Sequence, residues 1–252
     1  MDRRLFGKNV LVIRSHREND ELMALLEKSQ AKIVYTPVID IQKVADNHKL
    51  RDQILAFDQI NIAIFVSVHA VTIGLDWLDS YWPMLPQGLT YFSIGRQTSK
   101  ILKDYVSCIV SPTTNATSEG LLALPQLQKI NGQNVVIFRG SAGRETIKDV
   151  LTARGATVEY CDVYRRVVNP QQVSLAQQQM HNIDALVAHS GELLQAIGPL
   201  TMLRSSVHEK PFTVIVPSQR IAEIAYDLGY GLVKVADNAL PESMFAALVD
   251  CL

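Results

Sequence analysis

The stretch that decides the fold is Asn9–Arg14 (NVLVIR), because a second version of it stands at Asn134–Arg139 (NVVIFR). The same spacing of 125 residues relates Ala31–Tyr35 (AKIVY) to Ala156–Tyr160 (ATVEY). In each copy an apolar run ends in arginine, a helical pattern follows, and a second strand-like segment begins about twenty residues later. The pattern predicts a strand, a helix and a second strand, present twice in the chain.

Two further blocks extend the repeat at a spacing of 123 residues. Ala63–Ser67 (AIFVS) corresponds to Leu186–Ser190 (LVAHS), and Tyr91–Gly95 (YFSIG) corresponds to Val214–Ser218 (VIVPS). Ordered blocks at two nearly equal spacings indicate an internal duplication. The apolar runs are continuous, as in strands covered on both faces, and helical patterns lie between them. We therefore predict an α/β protein with two similar parallel-sheet lobes of flavodoxin-like or Rossmann-like type.

Composition and charge narrow the function classes. The chain has 252 residues, of which 48% are hydrophobic and 19% are charged, and this is enough for a buried core. Its 24 basic and 25 acidic residues give a net charge of −1, which argues against a general nucleic-acid binder. The most apolar stretch, residues 62–75, is shorter than the roughly 20 residues of a bilayer span, and the N-terminus lacks a signal-peptide pattern. We expect no membrane partner and a cytoplasmic location.

Metal and disulfide signals are weak. The three cysteines, Cys108, Cys161 and Cys251, are far apart and include no CxxC pair, which disfavours disulfides and a zinc site. The six histidines are scattered, and none stands in an HExxH context. The sequence therefore predicts no metal centre.

The loop after the second copy, Arg139–Glu145 (RGSAGRE), follows a predicted strand and opens a predicted helix, which is where α/β proteins bind anions. The spacing of Gly140 and Gly143 fits neither the dinucleotide fingerprint nor the P-loop. Two interpretations stay open. The glycines form a tight turn, or free backbone N–H groups together with Arg139 and Arg144 bind a carboxylate.

Hydroxyl side chains mark the ends of predicted strands and the starts of predicted helices. Serines follow four strands: Ser67, Ser93, Ser190 and Ser218. Helix N-caps are predicted at Thr98, Ser118 and Ser218. None of these residues has the GxSxG setting of a nucleophilic serine, so hydrolase chemistry is disfavoured. Helix capping and hydrogen bonding to a polar ligand remain equally open.

Tyr164 closes the second strand of the second copy, within Asp162–Arg166 (DVYRR). It is either an aromatic packing residue or a phenol able to donate a proton. Polar intervals at Gln42–Lys49 and Asn169–Gln179 are the predicted places where the chain crosses between lobes.

In this order, the blocks resemble the uroporphyrinogen-III synthase family. The resemblance also rests on motifs such as Ser118–Leu122, Arg154–Ala156 and Val163–Arg166, and it is strongest over the first 170 residues or so. It implies two α/β lobes, joined by two extended strands, that exchange their first strand–helix–strand segments. Lobe one would comprise residues 1–38 plus 168–252, and lobe two residues 39–167.

The resemblance also implies an activity. Enzymes of this family cyclise hydroxymethylbilane, a linear tetrapyrrole, to uroporphyrinogen III in haem biosynthesis. Ring D is inverted, water is lost, a spiro-pyrrolenine is formed on the way, and no cofactor is used. The expected enzyme is therefore a hydro-lyase. Tyr164 is the candidate catalytic proton donor, and the substrate carries eight carboxylates. The candidate substrate-binding residues are Arg14, Ser67, Ser93, Gly95, Thr98, Ser118, Arg139, Gly140, Gly143, Arg144, Arg165, Ser190, Ser218 and Arg220.

Two other function classes stay open. Duplicated α/β lobes also build non-catalytic binding proteins for small anionic ligands, and this is the alternative hypothesis. A nucleotide-dependent transferase is a third class, which the loop chemistry opposes. For the synthase, we expect a monomer that makes a transient contact with the preceding enzyme of the pathway.

Overall fold

The chain divides into two compact units. The computed structural model describes residues 5–14, 20–113, 116–202 and 211–252. One unit comprises Met1–Asp40 with Val167–Leu252, and the other comprises Ile41–Arg166. The boundaries expected from the sequence, 38/39 and 167/168, fall within two residues of these divisions. That each unit is an independent domain stays a prediction.

Strands and helices alternate along almost the whole chain. The strands are β1 (Asn9–Val12), β2 (Lys32–Tyr35), β3 (Ile39–Lys43), β4 (Ile62–Phe65), β5 (Thr90–Ser93), β6 (Ile109–Val110), β7 (Asn134–Gly140), β8 (Thr157–Val168), β9 (Ala185–Val187), β10 (Thr213–Val216) and β11 (Val233–Val235). The α-helices are α1 (Glu21–Lys28), α2 (His48–Leu55), α3 (Val68–Asp79), α4 (Arg96–Leu102), α5 (Ser118–Leu122), α6 (Thr146–Ala153), α7 (Pro170–Gln179), α8 (Gly191–Ile197), α9 (Gln219–Asp227) and α10 (Pro241–Cys251).

Each unit contains one sheet, and the two sheets share a strand order. The first unit has the order β11-β10-β9-β1-β2, and the second has β3-β8-β7-β4-β5-β6. Without β3, the two orders are equivalent, and β1-β2 and β7-β8 take the same places. This is the 2-1-3-4-5 order of flavodoxin-like folds. The predicted α/β fold with two similar parallel sheets is confirmed. In these sheets β1 and β2 lie beside β9, and β7 and β8 lie beside β4, which is the arrangement that the resemblance implies.

The strands are buried on both faces, as their continuous apolar runs predict. Successive side chains of a strand point to opposite faces. Val10 and Val12 therefore join the core beside α1 and α10, whereas Leu11 and Ile13 join the core beside α8 and α9. In the second unit, all four residues of β4 are buried. Helices cover both faces of each sheet, so side chains reach solvent mainly at the strand ends.

The predicted crossing segments were wrong. The chain passes between the units inside β3 and β8, which neighbour each other in the second sheet. Most of Asn169–Gln179 forms α7, and the Asn169 side chain accepts hydrogen bonds from the backbone N–H groups of Gln171 and Gln172. Asn at the N-cap followed by Pro at the first helical position is a helix start, which the polar composition concealed. Likewise, Gln42–Lys49 contains the end of β3 and the start of α2.

Two of the three predicted N-caps were also wrong. Thr98 is the third residue of α4, whose N-cap is Gly95 with a φ of 90°. Ser118 is the first residue of α5, and Thr117 caps that helix by accepting from the N–H of Gly120. Ser218 does occupy the N-cap of α9, although its side chain makes no capping hydrogen bond. A glycine with positive φ starts α4 earlier than side-chain preferences indicate.

Phe138 of β7 lies in the core of the second unit, and its substitution tests how much that core contributes to stability. Its ring stacks on that of Phe65, with centroids 4.5 Å apart, and no part of it is exposed. We expect Phe138→Ala to destabilise this unit by about 3–5 kcal/mol through lost contacts and a new cavity. Urea unfolding followed by far-UV circular dichroism measures the change. Met84→Ala is the control, because Met84 is 83% exposed. Equal unfolding midpoints for the two variants would contradict this assignment of the core.

Candidate active site

The strand order marks one position in each sheet where a ligand is expected. In open parallel sheets, ligands bind at the carboxyl ends of the strands, beside the point where the strand order reverses. That point lies between β7 and β4 in the second unit and between β1 and β9 in the first. Four of the candidate residues stand there: Gly140 ends β7, Ser67 follows β4, Arg14 follows β1, and Ser190 follows β9.

In the second unit, Tyr164, Ser67 and Gly140 come together. The phenolic oxygen of Tyr164 lies 3.2 Å from Oγ of Ser67. Oγ of Ser67 also accepts a hydrogen bond of 3.1 Å from the backbone N–H of Ala70, and in this way it caps α3. The Tyr164 ring covers Gly140 so closely that a Cβ atom there would lie 2.7 Å from a ring carbon. Only glycine therefore fits at position 140 beneath the Tyr164 ring.

A β-bulge turns Tyr164 towards Ser67. Along β7 and β8, Arg139 pairs with Asp162, but Gly140 pairs with Tyr164, so Val163 is the additional residue. Without the bulge, Tyr164 would point to the face opposite that of Val163. With it, both side chains lie in the same core cluster, and the N–H of Ser141 donates to the carbonyl of Tyr164 at 2.8 Å. Bulges commonly redirect a side chain in this way next to active sites.

The side chain of Arg139 is held by other side chains of its own unit. Its guanidinium donates to Asp162 at 3.0 Å and to Glu145 at 3.1 Å, and it stacks 3.3 Å from the centre of the Tyr160 ring. Burial raises the pKa of Tyr160 to about 12. The side chain of Arg139 is only 13% exposed. A substrate carboxylate would have to compete with both acids, so Arg139 mainly holds the loop after β7. None of these three partners was predicted from the sequence.

Arg14 is likewise engaged in the first unit. It is 4% exposed and forms an ion pair with Asp20. Asp20 also caps α1, accepting from the N–H groups of Leu22 and Met23 at 3.1 and 3.2 Å. Nη1 of Arg14 lies 3.4 Å from Nε2 of His189, the residue before Ser190. Asp20 could have been found from sequence, because an aspartate directly before a helical pattern is a helix-start signal.

The hydroxyls after β5 organise a turn. Ser93 is fully buried, and its Oγ lies 2.7 Å from Oγ of Ser99. Ser99 in turn donates to the carbonyl of Gly95 at 3.1 Å. Thr98 is 3% exposed and lies on the same turn. These contacts fix the start of α4 at the carboxyl edge of the sheet. Ser99 was not among the sequence candidates.

The remaining candidates are more accessible. Arg144 is 74% exposed, and its Nη1 lies 3.8 Å from Oε1 of Glu119. Arg165 is exposed and donates from Nη2 to Oε1 of Gln42 at 3.0 Å. Ser190 caps α8, with a hydrogen bond of 3.4 Å from the N–H of Leu193. The other four candidates are fully or partly exposed: Ser118, Gly143, Ser218 and Arg220.

A cavity of about 670 Å³ lies in the second unit at the amino ends of β5 and β6, opposite the carboxyl ends described above. Its walls are the chain segments that precede β5 and β6, together with Tyr91 near the start of β5. Among the residues that the structure describes, its lining includes Asp79 and Asp104 but neither lysine nor arginine. A polyanion would be repelled there, so the carboxyl edge is the better candidate site.

Fold and site together define a class. This is a duplicated α/β protein with two flavodoxin-like sheets, whose polar side chains gather at the carboxyl ends of the strands. A family model described as uroporphyrinogen-III synthase HemD matches residues 3–246. The chain belongs to the uroporphyrinogen-III synthase family.

Individual relatives agree with the family model. The chain is 34% identical to the uroporphyrinogen-III synthase of Escherichia coli K12, over 95% of this chain and 99% of that protein. It is 31% identical to the enzyme of the same name from Salmonella typhimurium LT2, with the same coverage.

Solved structures show the same fold. A mutant uroporphyrinogen III synthase from Thermus thermophilus aligns with a TM-score of 0.64 at 17% identity, covering 96% of each chain. A uroporphyrinogen-III synthetase from Helicobacter pylori aligns with a TM-score of 0.63 at 12% identity, covering 96% of this chain and 99% of that one.

Membrane spans and metal-ligand clusters are both absent from residues 5–14, 20–113, 116–202 and 211–252. No helix among them is both long and apolar enough to cross a membrane. Nor do the same residues contain a group of three or more His, Cys, Asp or Glu side chains that could hold a metal ion.

Arg14 and Arg144 are both predicted to bind substrate, but replacing them should change the stability of the protein to different extents. Arg14→Ala would leave the carboxylate of Asp20 buried without its ion-pair partner, and we expect a loss of about 3 kcal/mol. Arg144→Ala should leave the unfolding midpoint unchanged, because exposed ion pairs contribute little. Urea unfolding of both variants measures the difference. If Arg14→Ala were as stable as Arg144→Ala, the buried pair would not stabilise the first unit.

Proposed function

We propose that the chain converts hydroxymethylbilane into uroporphyrinogen III, closing the ring with inversion of ring D and releasing water. The enzyme is then a lyase of the hydro-lyase class in haem biosynthesis. Family membership and 34% identity to a named synthase over 95% of the chain support this proposal. Each unit also places polar side chains at the strand ends where a ligand is expected.

The observation that carries the chemistry is the phenol of Tyr164, 3.2 Å from Ser67 at the reversal point of the second sheet. Loss of water requires a proton on the departing hydroxyl, and a positioned phenol can supply it. The C–O bond breaks with its electron pair going to oxygen, while the pyrrole nitrogen stabilises the positive charge. Ring closure at the substituted carbon of ring D gives the spiro intermediate. The bond from that carbon to the bridge from ring C then breaks, and its electron pair restores the pyrrole of ring D. The bridge carbon, whose positive charge the ring C nitrogen stabilises, bonds to the free α-carbon of ring D. The proton released when the product regains aromaticity returns to Tyr164.

Substrate binding is assigned to groups that stay accessible. The guanidinium groups of Arg144, Arg165 and Arg220 are exposed and suit carboxylates, which arginine binds with two parallel hydrogen bonds. Arg14 and Arg139 would act mainly through the backbone that they hold in place. Because unaided cyclisation gives the uninverted isomer, the main task of the enzyme is to hold one substrate conformation. The sequence of steps is redox-neutral and needs no cofactor.

The product isomer tests the proposal directly. Freshly prepared hydroxymethylbilane is incubated with the protein, and the product is oxidised and separated by chromatography. We expect isomer III to form much faster than isomer I forms without protein. Isomer I alone, formed at the uncatalysed rate, would overturn the proposal and favour a non-catalytic anion-binding protein.

Tyr164→Phe tests the proton donor. We expect kcat to fall about 100-fold, the usual lower range for loss of a general acid, because the phenyl ring retains the packing against Gly140. The circular dichroism spectrum should not change. Unaltered turnover would remove Tyr164 from the mechanism.

Arg144→Ala tests the substrate contacts. The side chain is exposed and has one weak ion pair, so its removal should raise KM about tenfold, the equivalent of roughly 1.4 kcal/mol. kcat should stay near that of the wild type. Steady-state kinetics with a coupled supply of hydroxymethylbilane measure both constants. An unchanged KM would show that Arg144 pairs with Glu119 and does not bind substrate.

The monomeric state, the contact with the preceding enzyme and the cytoplasmic location stay predictions.

A further inference from the structure

We propose that Ser67 is a positioning residue for Tyr164: its hydroxyl donates a hydrogen bond to the phenolic oxygen, leaving the phenol's own proton for the substrate. The inference rests on the proposed function and assigns a second group to its acid chemistry. Ser67 does not contact the reacting atoms in this scheme. It acts through Tyr164.

The hydrogen-bonding capacity of Ser67 allows only a few arrangements. A serine hydroxyl has one proton and two lone pairs. One lone pair accepts the N–H of Ala70 at 3.1 Å, so the proton is available for the oxygen 3.2 Å away on Tyr164. If Tyr164 donated instead, its proton would be held by Ser67 and withheld from the substrate. The acid role therefore selects Ser67 as the donor.

Strand order explains why this contact exists. The relevant strands lie in the order β8-β7-β4, so Tyr164 of β8 and Ser67 after β4 are separated by β7. Neighbouring strands are about 4.8 Å apart, and the phenol must span two such spacings. It does so by lying across Gly140, where any side chain would collide with the ring. Bulge, glycine and serine thus define one position for the phenolic oxygen.

The environment of Ser67 favours the charge that develops. When the phenol gives its proton to the departing hydroxyl, negative charge appears on the Tyr164 oxygen. A hydrogen bond to a charged acceptor is about twice as strong as one to a neutral acceptor. Ser67 is a good donor because it accepts an N–H bond itself, which polarises its O–H group. It also caps α3, a helix of 12 residues, and the positive N-terminal end of a helix stabilises negative charge near it.

Three substitutions separate this role from helix capping. Ser67→Thr keeps both the cap and the donor, and we expect at least about a third of wild-type kcat. Ser67→Asp keeps the cap, since aspartate caps as well as serine, but its carboxylate cannot donate. Ser67→Ala removes both. We expect kcat to fall about tenfold or more in the Asp and Ala variants, with KM within about twofold of wild type.

A double-mutant cycle shows whether Ser67 acts through Tyr164. Ser67→Ala in the Tyr164→Phe background should change kcat by less than about twofold, because the oxygen that receives the hydrogen bond is already absent. Independent roles would give multiplied effects.

Asn47→Ala is the matched control for helix capping. Asn47 caps α2 in the same unit, accepting from the N–H of Leu50 at 3.0 Å, and this cap lies outside the group formed by Tyr164, Ser67 and Gly140. Its loss should lower the melting temperature about as much as Ser67→Ala does, with turnover unchanged.

The outcomes are distinct. Wild-type kcat in Ser67→Asp, or multiplied effects in the double mutant, would overturn the role of Ser67 while the wild-type protein still makes isomer III. Low kcat in Ser67→Asp with restored kcat in Ser67→Thr supports it. Failure of the wild-type protein to make isomer III would instead overturn the proposed function.

Discussion

Burial of both faces of the parallel sheets is the constraint on which the rest of the structure depends. Because helices cover each face, a polar side chain within a strand would lose its water without gaining a partner. Polar groups are therefore concentrated at the strand ends, and the strand order selects which ends stand beside the reversal point. Ser67 and Gly140 in one unit, and Arg14 and Ser190 in the other, stand at such strand ends for this reason.

The side chains at the equivalent strand ends make different contacts in the two copies. In the first unit, the arginine after β1 is buried against Asp20, and His189 lies beside it. In the second unit, the corresponding Arg139 pairs with Asp162 and Glu145, and the phenol of Tyr164 lies beside Ser67. The β-bulge in β8 accounts for much of this asymmetry, because it turns Tyr164 to the same face as Val163.

Arginines illustrate how far chemistry can be inferred from residue type. All five candidate arginines can bind carboxylates, yet Arg14 and Arg139 bind acids of their own unit. Exposed Arg144 and Arg220 keep more of their binding capacity. The cost of leaving a buried charge unpaired explains the difference, since a buried guanidinium needs a permanent acidic partner whereas an exposed one is solvated.

The sequence by itself determined the duplication, the parallel α/β class and the family, because apolar runs and their spacing are local and repeat along the chain. It also located Ser67 and Gly140 at strand ends, whereas Tyr164, which the pattern placed at the end of its strand, lies within β8. Tertiary structure decided that these three meet, since a one-residue bulge between β7 and β8 changes the direction of a side chain without any local signal. It also decided that Gly95 rather than Thr98 starts α4, and that Arg139 is held by Asp162, 23 residues away in the chain. Such contacts depend on strand pairing, and single-residue preferences do not encode it.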